Sequence, residues 1–357
     1  MIERAPAASD GVVELEWVEP LPEFDLGSRW HVREAGVARV AWVLHENGSY
    51  DDKAIAGTCL DWRGFAHPRA SAIRHVGRYG GKLVVLVEDD RGPSLADAAA
   101  QLADTPIDRE RWVIAQVITI ADALATMAKH APKFVYREIH ADRLYVDHTG
   151  RGRIRAPVSA VIRPRGPMTT GAGVAFGDPR WMAPEQALGT PVTPATDVFA
   201  LAANLAYAVT GVLPYDDPDG SFMTILQKII MQPPELRPLQ APGLDAVIAR
   251  ALARESAQRY PDPAAFATAL YECVPDAGDY DAVVSDRLAA WWPSAPQAQG
   301  AMPSDRSARC SKQWEELQPM TRPDMRFCGS CQQTVVHVRS LAAAIPLVGH
   351  CVHYRPD

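Results

Sequence analysis

Four of the six cysteines crowd into the C-terminal part of the chain, as Cys310, Cys328, Cys331 and Cys351, with the spacing C-x17-C-x2-C-x19-C. A C-x2-C pair flanked by one distant cysteine on each side suits a tetrahedral zinc site, with thiolates about 2.3 Å from the metal. A unit of about 45 residues is too small for a secure core without such a staple. His337, His350 and His353 are alternative ligands, His350 lying beside Cys351. The same cysteines also fit a C-x2-C redox pair or plain buried thiols, and those readings stay open. Cys59 and Cys273 read as core residues.

A second group of chemically capable side chains lies in FVYREIHADRLYVDHTGRGRI, where Arg137, Glu138, His140 and Arg143 fall within seven positions. The elements around it are legible. Before it, Val113, Val117, Ile120, Leu124 and Met127 recur at the spacing of one face of a long amphipathic helix. After it, the stretch from Gly177 to Tyr215 predicts a helix that starts at Thr193 and Pro194 and stops at Gly211. Val198, Phe199, Leu201, Ala202, Leu205, Ala206 and Val209 cover nearly all its faces, which places it in the middle of a large domain. The sequences WHVREAG and VARVAWVLHE predict a hairpin turning at Gly36, and KLVVLVEDD predicts a further strand.

The chain has 357 residues, 47% of them apolar and 22% charged, as in ordinary globular proteins. Its net charge of −7 argues against nucleic acid or an anionic membrane as partner. The first residues hold no apolar run of the secretory type, so the cytoplasm is the expected location.

Gly177–Tyr215, with Ala183-Pro184-Glu185 ahead of the helix and Asp197 inside it, closely resembles the activation segment and central helix of protein kinases. Bacterial Ser/Thr kinases, with GTPxYMAPEQ and DxxxLGxxLYxxLTGxxPF, are the nearest in pattern. The resemblance implies an α+β, two-lobed kinase-like fold with a small β-rich lobe at about 26–88 and a large helical lobe at about 89–273. Residues 1–25 are expected to be an extended lead-in, 274–305 a linker rich in Pro, Ala and Asp, and 306–357 the Cys-rich module.

The resemblance also implies where the reagents of phosphoryl transfer should lie, and most are replaced. Trp42 stands where the phosphate lysine belongs, and no lysine occurs between Met1 and Gly48. Only Gly36 falls in the turn expected to cover the phosphates. Thr58 stands at the glutamate that would pair the lysine, and Glu138 at the catalytic aspartate. Arg143 and Ala156 stand at the two metal ligands. Arg137, Glu185, Asp197 and Arg259 match residues that brace the large lobe: Glu185 with Arg259 as a buried pair, and Asp197 as an acceptor for the catalytic-loop backbone. Thr169 and Thr170 occupy the place at which active relatives are phosphorylated. The reading is a pseudokinase acting as a regulatory or scaffolding protein in bacterial signalling. It is expected to bind protein partners, an active kinase among them, with a structural zinc and neither ATP nor magnesium. The alternative is an unconventional kinase or nucleotidyl transferase of the same fold that uses Glu138.

Overall fold

The computed structural model describes residues 15–24, 27–44, 59, 62, 65–79, 81–102, 106–131, 134–158, 178–217, 221–278 and 280, together with the strand backbones 318–319, 325–328, 333–338 and 351–354. The small lobe is a five-stranded antiparallel sheet of β1 (Leu15–Phe24), β2 (Gly27–Glu34), β3 (Val37–Leu44), β4 (Ile73–Tyr79) and β5 (Lys82–Glu88), in the order β1-β2-β3-β5-β4. The predicted hairpin is β2–β3. Ala35 and Gly36 both take positive φ, 48° and 80°, the pair of left-handed residues that a two-residue hairpin turn with matching twist requires.

The sequence reading treats residues 1–25 as a lead-in and places the phosphate-covering turn at Gly36. Leu15–Phe24 instead pairs with β2 as the edge strand, so the hairpin that precedes β3 in a kinase is β1–β2. At its end Phe24 pairs with Gly27. A side chain at Gly27 would put a Cβ 2.0 Å from the Val43 carbonyl oxygen, so the backbones pass too closely there for any other residue.

Residues on β3 are buried without a break from Val40 to Leu44, because both faces of the sheet are covered. Val40, Trp42 and Leu44 face the main core, while Ala41 and Val43 join Trp30, Val32, Tyr79, Val84 and Leu86 in a second cluster. The sheet curls over that second face. Trp17 and Tyr79, on the two edge strands, bring their rings to 6.4 Å in an edge-to-face contact.

In the large lobe, α1 (Leu95–Ala100) is capped by the Ser94 hydroxyl and leads to α2 (Pro106–His130), whose predicted face is fully in the core. By length and composition Arg109–His130 could cross a bilayer, yet 72% of that window is buried, as expected of a core helix. The short strands β6 (Leu144–Val146) and β7 (Gly152–Ile154) pair beneath the cleft. After α3 (Pro184–Ala187) comes the central helix α4 (Pro194–Thr210), with 14 of its 17 residues buried and Gly211 at φ 73° as its stop. Asn204, the polar residue in its middle, donates to the Ala200 and Ile139 carbonyls, tying the helix to the loop above it. The lobe closes with α5 (Phe222–Met231), α6 (Leu244–Ala251) and α7 (Pro263–Cys273). The packed domain continues past the expected end at Cys273: Val274 and Ala277 are buried, and Tyr280 receives the guanidinium of Arg111 on its ring at 5.5 Å.

Among the described residues of the C-terminal module are the strands β8 (Gln318–Pro319), β9 (Met325–Cys328), β10 (Gln333–Val338) and β11 (Cys351–Tyr354), in the order β11-β10-β9-β8. The pairs β8–β9 and β9–β10 are antiparallel, whereas β10–β11 is parallel.

Candidate functional site: the cleft between the lobes

A chain of alternating groups crosses the cleft. It starts in the large lobe at Arg155, just after β7, whose Nη1 lies 3.0 Å from Oδ1 of Asp90. Asp90 sits in the segment that joins the lobes and is 0% exposed. The same oxygen accepts from Nη2 of Arg29 on β2 at 3.2 Å. The Arg29 guanidinium lies over the Trp42 ring at 4.9 Å, and Arg143 lies against that ring from the large lobe at 5.3 Å. Arg143 ends the chain on Glu138, 3.2 Å away, with both side chains only 6% exposed. The order is therefore cation, anion, cation, ring, cation, anion. Ion pairs and cation–π contacts of this kind gain strength when water is excluded.

Strand register explains how Trp42 and Arg29 meet. Trp42 pairs with Arg29 across β2–β3, and period-two alternation turns both toward the cleft. Val43, which a slip of one residue would substitute, belongs to the opposite face. Arg155 is further fixed by donating to the Asp142 carbonyl at 2.6 Å and by lying over the Tyr145 ring at 4.9 Å.

A second set of side chains ties β1 and β2 to the segment that joins the lobes. Arg91 grips Asp89 at 2.8 Å through both Nε and Nη2. Its Nη1 is 3.1 Å from Nδ1 of His31. Against a guanidinium, which can only donate, that nitrogen serves as acceptor, although Oε1 of Glu19 also lies 3.4 Å from it. Burial, and then the Arg91 charge, lower the His31 pKa. Asp89 is held below the usual carboxylate range: burial would raise it, but the bonds from Arg91 outweigh that.

The loop beneath the cleft is braced from below. Both oxygens of Asp197 accept backbone N–H bonds, from Tyr136 and Arg137, each at 2.8 Å. Arg137 has φ 62°, a left-handed conformation costly for a long side chain, and those two bonds hold it there. Burial pushes the Asp197 carboxyl up to about 7, against the same two bonds. His140 is pushed down to about 4, by burial first and then by Arg143. Glu185 and Arg259 form a two-pronged pair at 2.7 and 2.8 Å, with Thr196 donating to the same carboxylate.

Trp42, Glu138 and Arg143 thus come together, and Ala156 is fully buried one residue beyond Arg155. Arg137, Asp197, Glu185 and Arg259 form the brace below. Thr58, Thr169, Thr170, Cys310 and Cys331 lie outside the described residues. Cys328 and Cys351 end and begin strands on either side of β10, opposite Gln333 and Val335. Among the described residues no group of three His, Cys, Asp or Glu side chains is placed to hold a metal. Arg29, Asp90 and Arg155 escaped the sequence reading. The one available signal was an arginine on the cleft-facing side of a strand whose neighbours are apolar.

A curled antiparallel sheet with strand order 1-2-3-5-4, joined by a short segment to a helical lobe around a buried central helix, defines a protein kinase-like domain. Comparison with known proteins agrees. No family model matches the chain. It is 30% identical over 214 residues to the tyrosine-protein kinase MasK of Myxococcus xanthus, covering 57% of this chain and 33% of that protein. It is 31% identical over 146 residues to the serine/threonine-protein kinase PknA of Mycobacterium tuberculosis, covering 41% and 33%. Against PknD of the same species it is 26% identical over 257 residues, covering 70% and 38%. The chain therefore spans 33–38% of the length of these relatives.

Proposed function

We propose that this kinase-like protein is catalytically impaired and works by binding other proteins, as a regulatory or scaffolding component. The observation that carries the reading is the side-chain chain running from Arg155 to Glu138 through Trp42. Phosphoryl transfer needs a lysine on the phosphates and oxygen ligands for magnesium. The residues present do not fit a magnesium–nucleotide. An indole fills the lysine position, Ala156 offers no oxygen, and three buried guanidinium groups against two carboxylates leave a positive excess that repels a cation. Glu138 as a base in an unconventional transferase is the weaker reading, because its carboxylate is already committed to Arg143. The test is thermal stability with millimolar ATP, with and without magnesium. A ligand that binds only the folded state at about 100 times its Kd adds about 2.7 kcal/mol. No shift is the expected result, and a magnesium-dependent rise of several degrees overturns the reading.

For the module at 306–357 we propose a structural zinc on Cys310, Cys328, Cys331 and Cys351. Supporting it are the ligand spacing and a backbone that sets Cys328 and Cys351 on the two strands flanking the first half of β10. An active partner kinase acting on Thr169 or Thr170 completes the proposal, with Arg137 as the residue to meet the phosphate.

A further inference from the structure

We propose that Asp90, gripped by Arg29 and Arg155, is an interlobe latch that holds the two lobes in one arrangement through the protein's own side chains. Arg29 belongs to the small lobe, Arg155 to the large lobe and Asp90 to the segment joining them. One carboxylate oxygen takes a guanidinium from each side, at 3.2 and 3.0 Å, in a place with no exposure to water. Two-lobed proteins with a hinged cleft usually rely on a ligand to supply contacts across it. Here side chains supply them at both ends. The Arg29–Trp42 pair of the small lobe meets Arg155 through Asp90, and meets Arg143 directly on the ring.

The charges make closure selective. Buried pairs escape the screening that weakens surface pairs, so opening the cleft exposes two arginines whose partner has moved away from at least one of them. A buried ion pair adds little net stability compared with apolar packing, but it penalises every arrangement that separates it. A partner that reads a surface spanning both lobes therefore meets that surface already formed, without an ordering cost on binding. The latch goes beyond the absence of catalysis, since a cleft could lack reagents and still swing open.

Hydrogen exchange on the intact chain tests it, with Asp90→Asn and Arg29→Lys as variants. The first keeps the size of the side chain and removes its charge. The second keeps the charge and loses the planar stack on Trp42. In Asp90→Asn the amides of β2, β3 and β5 should exchange faster by about 10²- to 10⁴-fold, the scale for breaking a buried pair on one side, and those of α2 and α4 should not change. Arg29→Lys should give a smaller acceleration in the same strands, and small-angle scattering should show a larger radius of gyration for both variants. Wild-type exchange in β2 and β3 overturns the latch. So does loss of protection throughout α4 in both variants, which would make Asp90 a folding residue instead of a closure residue. Magnesium-ATP added to Asp90→Asn separates the two proposals. Binding there, with the small-lobe amides loosened beforehand, counts against the impaired-kinase reading and leaves the latch standing.

Discussion

Replacing Glu185 by Ala should destabilise the large lobe by an amount that the geometry bounds. Arg259 is 2% exposed and spends two nitrogens on the Glu185 carboxylate. Removing one side of such a buried pair costs about 3–5 kcal/mol, since the other charge is left without compensation. Arg259 keeps three backbone acceptors, the carbonyls of Ala253, Arg254 and Ala195, and its stack on Phe199 at 4.9 Å. The loss should therefore fall near 3 kcal/mol, which for a domain of this size lowers the melting temperature by about 6–12 °C. The pH dependence has a definite sign. Burial would raise the Glu185 carboxyl, but the Arg259 bonds bring its pKa below the ordinary value. A carboxylate with a depressed folded pKa adds stability above its unfolded pKa, about 4.3, and loses it as pH falls through the folded value. Wild type and Glu185→Ala should thus differ most at neutral pH and converge in acid. Differential scanning calorimetry at pH 7 and at lower pH measures both. A neutral-pH difference under 2 °C, or one that does not shrink in acid, would refute the reasoning.

Two further outcomes follow from other sites. His140 is kept neutral in the fold, so its contribution is present above its unfolded pKa near 6.5 and is lost as pH falls toward about 4. Burial with Arg143 causes the shift and Glu138, Asp142 and Asp178 oppose it; His140→Gln should flatten the decline measured by denaturant titration between those pH values. Purified, freshly reduced protein should contain about one zinc per chain, and Cys328→Ser should remove it without moving the melting of the kinase-like domain; elemental analysis showing no stoichiometric zinc returns the cysteines to the redox or core reading.

The central helix was legible because its signals are local. Thr193-Pro194 and Gly211 mark the ends, and apolar residues between them leave no solvent face. The face of α2 was legible for the same reason. The edge strand β1 was not, since Pro20 and Pro22 break the pattern a strand normally shows. An edge strand tolerates proline because one row of its N–H groups needs no partner, and β1 absorbs its irregularity as register shifts at Trp17/Glu19 and Leu21/Phe24. Missing β1 moved the glycine turn one hairpin too late. The cleft was legible only as a set of replaced residues. What fills it depends on pairs such as Arg29 with Asp90 and Arg155 with Asp90, 61 and 65 positions apart. No periodicity or local spacing encodes contacts at that range. Motif matching could say that Trp42 is not a lysine, but only the register of β2 against β3 shows that an arginine lies on its ring.

The most direct test of the account is phosphate transfer. The intact chain should be incubated with magnesium, ATP labelled on the γ-phosphate and general protein acceptors, with an active bacterial Ser/Thr kinase run only in a separate control reaction. The account predicts no label above background on the chain itself or on any acceptor, and none gained when Glu138 is changed to Asp. Incorporation by the wild-type chain that disappears in Glu138→Ala would contradict it, since that result requires nucleotide in the cleft and Glu138 free of Arg143.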